Sequence, residues 1–318
     1  MLITLDDIRA AATHIDGVAV RTPLVSALPW PGLRLKPEGL QPTGAFKLRG
    51  AVHALACLPD EARAKGVLTH SSGNHGQALA YAARRLDMPC VVVMPDVSAQ
   101  VKVDAVRSLG AEVQLVPMAE RLPRTRELAG TRGLTVIPPF DHRDVIAGQG
   151  TVGLEILADA HDVAAVLVPV GGGGLASGVA TAVKALRPDV LVIGVEPELA
   201  ADAVDSLAAG EVVVWPPEQT VRTVADGLRT NLSELTLAHL TKYLDGIVTV
   251  SETEILSTVG SIARTARLVA EPSGAVAPAA WLHHREALRE RFGVDGPVVA
   301  VVSGGNLDPD VLAKALTS

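Results

Sequence analysis

Short apolar runs alternate with Ala- and Leu-rich stretches of helical period through most of the chain. The runs Val67–His70, Cys90–Met94, Glu112–Val116, Val166–Val170, Leu191–Val195, Ile247–Val250 and Val298–Val302 read as strands. Several are apolar at every position, as strands covered on both faces must be. One helix is predicted from about Ala99 to Leu109, with Ser98 as its N-cap and Gly110 just past its end. Others are predicted over Ala51–Leu58, from Gln77, and from near Leu175. Single helices between strands require right-handed crossovers, so an α/β fold with mostly parallel sheets is expected. The Pro-rich stretch that begins at Ile137 (IPPFDHRD) marks a crossing between domains. A small domain over residues 66–141 is therefore expected, inserted into a large domain made of residues 1–65 and 142–318.

With 48% apolar but only 3% aromatic residues, the core must be built from Ala, Val and Leu. No apolar run reaches the roughly 18 residues a membrane span needs. The first residues carry Asp6 and Asp7 where a signal peptide would be basic, so a cytoplasmic enzyme is expected. The net charge is −7, and no basic block or aromatic-interleaved basic stripe points to nucleic acid. Cys57 and Cys90 are too few for a disulfide framework, lack metal-ligand spacing and are expected to be buried thiols. His283 and His284, among charged neighbours, read as a solvated helix face.

Chemistry in an open α/β sheet gathers where strands end and helices begin. Two turns stand out. The strand ending at Val170 runs into Gly171, Gly172, Gly173 and Gly174, where the missing Cβ atoms let backbone N–H groups close around an anion. The turn from Ser71 to Gly76 (SSGNHG) offers hydroxyls, an amide and backbone donors suited to a carboxylate. The glycine turn alone is ambiguous. Gly171, Gly173 and Ala176 fit a dinucleotide fingerprint, with Glu196 where a ribose-binding acid would stand, so an NAD-dependent dehydrogenase is open at this point. A Walker loop is excluded, because no Gly-Lys-Ser/Thr follows. Lys47 shifts the balance: flanked by Phe46 and Leu48, it suits a desolvated amine able to form a Schiff base.

In order along the chain stand KPE at Lys36–Glu38, TGAFKLRG at Thr43–Gly50, SSGNHG at Ser71–Gly76, IAGQGT at Ile146–Thr151, GGGG at Gly171–Gly174, EPSG at Glu271–Gly274 and SGGN at Ser303–Asn306. With these motifs the chain resembles the fold-type II pyridoxal-phosphate enzymes, in the branch of threonine/serine dehydratases and serine racemases. The resemblance covers nearly the whole length. It implies two three-layer α/β domains of the tryptophan synthase β kind, a homodimer, and a small hydroxy-amino acid as substrate.

The resemblance also assigns roles. Lys47 would carry the cofactor and act as base, with Phe46 beside the ring. Asn74 would bond the ring's phenolic oxygen, Gly171 to Gly174 would hold its phosphate, Gly227 would lie against its face, and Ser303 would meet the pyridine nitrogen. Ser71, Ser72 and His75 would line the pocket for the substrate carboxylate. A serine at the ring nitrogen makes a milder electron sink than a carboxylate would, which favours elimination over transamination. Glu196, Ala200 and Asp202 match positions where relatives bind Mg²⁺ or Ca²⁺ through hard oxygen ligands.

The implied activity is α,β-elimination from L-threonine or L-serine to a 2-oxo acid and ammonia. Serine racemase and 3-hydroxyaspartate or phenylserine dehydratase are the alternatives. Ser72 bears on that choice: many dedicated dehydratases have alanine there, and a hydroxyl opposite Lys47 can return a proton to the other face of the α-carbon. Pro42 stands where nucleotide-responsive racemases carry lysine, so nucleotide activation is not expected. With the chain stopping soon after Asn306, feedback inhibition through a regulatory domain is not expected either.

Overall fold

A computed structural model describes residues 1–318 except Leu28, Ser72, Ala99 and Ser318. The strands are β1 (Val25–Ser26), β2 (Leu33–Pro37), β3 (Val67–Thr69), β4 (Cys90–Pro95), β5 (Glu112–Val116), β6 (Thr135–Val136), β7 (Ala165–Pro169), β8 (Leu191–Pro197), β9 (Gly246–Val250) and β10 (Val298–Val302). They form a six-stranded sheet, β1-β2-β10-β7-β8-β9, and a four-stranded sheet, β5-β4-β3-β6. Every pairing is parallel except β1 with β2.

The larger sheet is covered on both faces, and β10 shows how. Its Val298, Ala300 and Val302 join one buried cluster, with Trp281 and Ala277 of the Pro272–Phe292 helix. Its Val299 and Val301 join another, with Val152 and Ile156 of the Arg143–Asp159 helix and Val179 of the Gly174–Leu186 helix. Alternate residues of a strand point to opposite faces, so an unbroken apolar run is what two helical layers demand.

The four-stranded sheet takes all its strands between Val67 and Val136. Its core also takes Leu48, Ala51, Val52 and Leu55 from the Lys47–Ala56 helix, packed with Val67, Ala78, Leu79 and Val92. That helix starts at Lys47 rather than Ala51, which makes Lys47 its first residue. The helix after β3 likewise starts at Asn74 rather than Gln77. The helix after β4 runs Gln100–Ser108, and the Ala99 end expected for it lies outside the described residues.

The helices pack unusually close where glycines meet. A methyl on Gly148 would stand 2.5 Å from the Cα of Gly50, and one on Gly178 would stand 2.4 Å from the Ile146 carbonyl. The glycines of the IAGQGT motif thus let the Arg143–Asp159 helix lie backbone to backbone against two neighbours, as only a residue without Cβ permits. Gln149 adds a bond from the Gly50 N–H to its Oε1 at 3.2 Å.

Candidate active site

The site assembles around the first turn of the Lys47 helix. The strand-like segment before it is pinned to the segment after β10: the Phe46 N–H donates to the Ser303 carbonyl at 3.0 Å, and the Gly305 N–H to the Gly44 carbonyl at 2.9 Å. Asn306 locks the same turn, its Nδ2 donating to the Thr43 carbonyl at 2.8 Å. A methyl on Gly44, whose φ is +71°, would strike the Asn306 side chain at 2.2 Å. The TGAFKLRG and SGGN motifs, from opposite ends of the chain, therefore fold as one unit.

Lys47 is half-buried, and its Nζ donates to the Pro139 carbonyl at 2.7 Å and lies 4.9 Å from the Phe46 ring centre. Burial brings the amine down to about 8. The neutral, nucleophilic form is therefore accessible near neutral pH, with no cation needed to depress it. Pro139 was visible in the sequence only as part of a domain crossing. The next residue, Phe140, lies where methyls on Gly172 and Gly174 would be, at 2.5 and 2.8 Å. Methyls on Gly171 and Gly173 would meet Leu228 and Leu232 at 2.8 Å. All four glycines are thus required by close approach. Gly173 (φ +82°) starts the Gly174–Leu186 helix, and among the described residues none accepts a hydrogen bond from the N–H groups of Gly171, Gly172 or Gly173. These donors at a helix N-terminus are what a phosphate takes.

Ser303 is buried, and its hydroxyl donates to the Ser273 carbonyl at 3.3 Å. That length is slack for an O–H donor, so a better acceptor can displace the carbonyl. The Ser273 hydroxyl in turn accepts from the Gly227 N–H at 2.9 Å, which sets the Asp226–Leu228 turn beside the glycine turn. Asn74 bridges to the other side of the cleft: its Nδ2 donates to Glu271 Oε1 at 2.7 Å, and its Oδ1 accepts from Asn306 Nδ2 at 2.9 Å. Glu271 is buried, and burial, with Asp226 adding repulsion, pushes its carboxyl up to about 8.

The Ser71 turn lies between β3 and the Asn74–Arg85 helix. Ser71 is half-buried, and its Oγ accepts weakly from the Gly73 N–H at 3.4 Å. His75 is held by a backbone bond. Its buried Nε2 bonds to the Ile137 carbonyl at 2.9 Å, which makes Nε2 the donor and leaves Nδ1 a buried acceptor without a partner among the described residues. Burial, with the Lys47 charge, lowers His75 to about 3 and keeps it neutral. Its ring in this tautomer presents no second donor to a carboxylate. Ser72, expected both in this pocket and as a second base, lies outside the described residues.

Glu196 ends β8, and both its oxygens accept from the Ala203 and Val204 N–H groups at 3.1 and 3.0 Å. Burial and the neighbouring Asp202 push its carboxyl well above the usual range, and burial lifts Asp202 to about 6. Asp202 Oδ2 accepts from the Leu232 N–H at 3.0 Å, while its buried Oδ1 has no partner among the described residues. Two buried carboxylates with a spare oxygen, beside buried Ala200, fit a hard cation.

A lysine amine beside a turn of unbonded N–H donors suits pyridoxal phosphate, and two mostly parallel α/β sheets are the frame of its fold-type II enzymes. The profile of the family described as "Pyridoxal-phosphate dependent enzyme" matches residues 15–304, and the chain belongs to that family. It is 37% identical to the serine racemase of Dictyostelium discoideum over 321 residues, 99% of this chain and 98% of the relative. It is 37% identical to the L-threo-3-hydroxyaspartate ammonia-lyase of Saccharomyces cerevisiae, over 96% of this chain and 94% of that one. The crystal structure of a T.th. threonine deaminase superposes with a TM-score of 0.89 at 43% identity, covering 96% of this chain and 99% of that one. The dehydrogenase alternative is thereby set aside. No helix among the described residues is long and apolar enough to cross a membrane.

Proposed function

We propose that this chain is an ammonia-lyase that eliminates water from L-threonine and L-serine. The observation that carries the reading is Lys47: a half-buried amine that desolvation lowers to about 8, beside a glycine turn whose donors suit a phosphate. Pyridoxal phosphate would be held by Lys47, by the N–H groups of Gly171 to Gly174, by Asn74 at its phenolic oxygen and by Ser303 at its ring nitrogen, with Phe46 and Gly227 against the ring. Bound there, it supplies the electron sink that makes the substrate α-proton removable.

The chain's own residues do the rest. Lys47 Nζ takes the α-proton, for which a base with a pKa near the working pH is efficient. Ser71 and the N–H groups of its turn orient the substrate carboxylate. Because His75 Nε2 is committed to the Ile137 carbonyl, we assign its ring to the pocket wall. The Ser303 hydroxyl is a neutral donor, which leaves the sink mild and favours loss of the β-hydroxyl. A homodimer in the cytoplasm is the proposed working form.

The second reading, serine racemase, rests on Ser72 in the sequence. One experiment tests both. The purified protein should be yellow, borohydride should fix the cofactor to the peptide containing Lys47, and 2-oxo acid should form from L-threonine and L-serine. In Ser72→Ala, reaction with D-serine should fall by about 100-fold or more, the scale of an acid/base group, while L-elimination largely survives. Labelling at another lysine would end the cofactor assignment. Interconversion of L- and D-serine faster than pyruvate release would make the chain a racemase.

A further inference from the structure

Cys57 departs from the buried thiol expected of it. It caps the C-terminus of the Lys47–Ala56 helix and is exposed, whereas Cys90 is buried. One turn earlier on the same helix face is His53, whose Nδ1 and Nε2 each lie 3.7 Å from Cys57 Sγ. Facing them from the last turn of the Leu5–Ile15 helix is His14, with Nδ1 to Nδ1 at 2.9 Å and ring centres 5.0 Å apart. The three ligand atoms lie within 4.8 Å of one another. Sequence spacing could not show this, because the third ligand comes from a different helix.

We propose that His14, His53 and Cys57 form a binding site for a borderline transition-metal ion of the zinc type, unrelated to the pyridoxal-phosphate chemistry. Two imidazoles and a thiolate are the donors such an ion selects, in contrast to the oxygen set at Glu196 and Asp202. Tetrahedral bonds of about 2.0 Å to nitrogen and 2.3 Å to sulfur hold neighbouring ligand atoms roughly 3.3 to 3.6 Å apart. The His14–His53 and His53–Cys57 distances of 2.9 and 3.7 Å need a few tenths of an ångström of adjustment, and the His14–Cys57 pair, within 4.8 Å, closes by rotation of the two exposed side chains.

The proton balance is explicit. Two facing Nδ1 atoms can bond only if one carries hydrogen, and on metal binding that hydrogen moves to Nε2 of the same ring. The Cys57 thiol binds the ion as thiolate, so it releases one proton to solvent as the metal–sulfur bond forms. His53 is 3% exposed, while His14 and Cys57 open to solvent, which gives the ion an entry path and leaves its fourth position to water. The ion would staple the N-terminal helix to the helix that begins with Lys47.

The test is titration of the holoenzyme with Co²⁺, the thiols kept reduced and Mg²⁺ in excess to occupy oxygen sites. One equivalent should give visible d–d bands of tetrahedral intensity and a near-ultraviolet thiolate-to-cobalt band, with one proton released. Zn²⁺ should displace the Co²⁺ and bleach both. Cys57→Ser should lose the near-ultraviolet band, and His14→Ala should weaken binding at least tenfold. Both changes sit at exposed positions, so circular dichroism and lyase turnover in metal-free buffer should match the parent. Absence of both bands in the parent, or unchanged bands and affinity in the two variants, would overturn the site.

Discussion

Glu271 is buried where it meets Asn74, and that burial outweighs the pull of Lys102 and keeps the carboxyl neutral. Its pKa in the fold, about 8, lies above the ordinary 4.5, so the sign of its effect follows. The stability it contributes is complete below pH 4.5, where folded and unfolded chains both keep the proton. It is lost as pH rises toward 8, because the unfolded chain ionises freely and the folded one does not. For cofactor-free protein, the difference in thermal midpoint between the parent and Glu271→Gln should therefore drift in favour of the variant from about pH 5 to about pH 8. A pH-independent difference would show that Glu271 is ionised in the fold. Lys47, Asn74 and Ser303 drew notice in the sequence because they stand in compact local motifs. Glu271 and Pro139 were not singled out, since their roles arise only when segments far apart in the chain meet.

Among the elements, the Lys47 helix is fixed by charge as well as by packing. Arg49, two residues past Lys47, is buried and donates from Nε and Nη2 to Glu38 at 2.7 and 2.8 Å and from Nη1 to Glu155 at 2.6 Å. Lys36 Nζ reaches Glu155 at 2.6 Å and the Thr22 carbonyl at 2.6 Å. Burial alone would raise Glu38, but Arg49 and Lys36 outweigh it and hold the carboxylate low. Removing one partner of such a network leaves an uncompensated charge, at about 3–5 kcal/mol. Glu38→Gln and Arg49→Met should each cost that much in urea denaturation, and the double variant clearly less than their sum. Strict additivity would mean that the pair is not coupled. The KPE motif thus has a structural use that its sequence did not disclose.

Strands β3, β4, β5, β7, β8, β9 and β10 were readable as short β-rich runs. Strands β1 and β6 have two residues each and β2 carries Arg34 and Lys36, so composition gave no signal. The shared core of the Lys47 helix and β3 leads us to propose that the small domain includes that helix, moving its first boundary from residue 66 to near 47.

Across the whole molecule, the expected cation lies on β8 and the turn after it, away from the chain ends that build the amine site. We propose that Glu196 and Asp202, with the Ala200 carbonyl, hold Mg²⁺ or Ca²⁺. Without the ion, two buried carboxylates oppose each other, and the strain falls on a turn that also positions Leu232 beside Gly173. Chelation should lower both the thermal midpoint and turnover, and Mg²⁺ should restore them. In Glu196→Gln and Asp202→Asn the response to chelator should vanish. Variants that respond like the parent would remove the site from this turn.

The contact between Gly50 and Gly148 seats the Lys47 helix main chain to main chain against its neighbour, and at that contact there is no rotamer to repack. Changes in the turns that meet the substrate can therefore accumulate without carrying the amine off its position. A reaction centre anchored in this way is free to acquire new specificities by substitution at its rim. Relatives named for racemisation and for elimination from different amino acids can then share one frame, and evolution between those activities needs no passage through a misassembled centre.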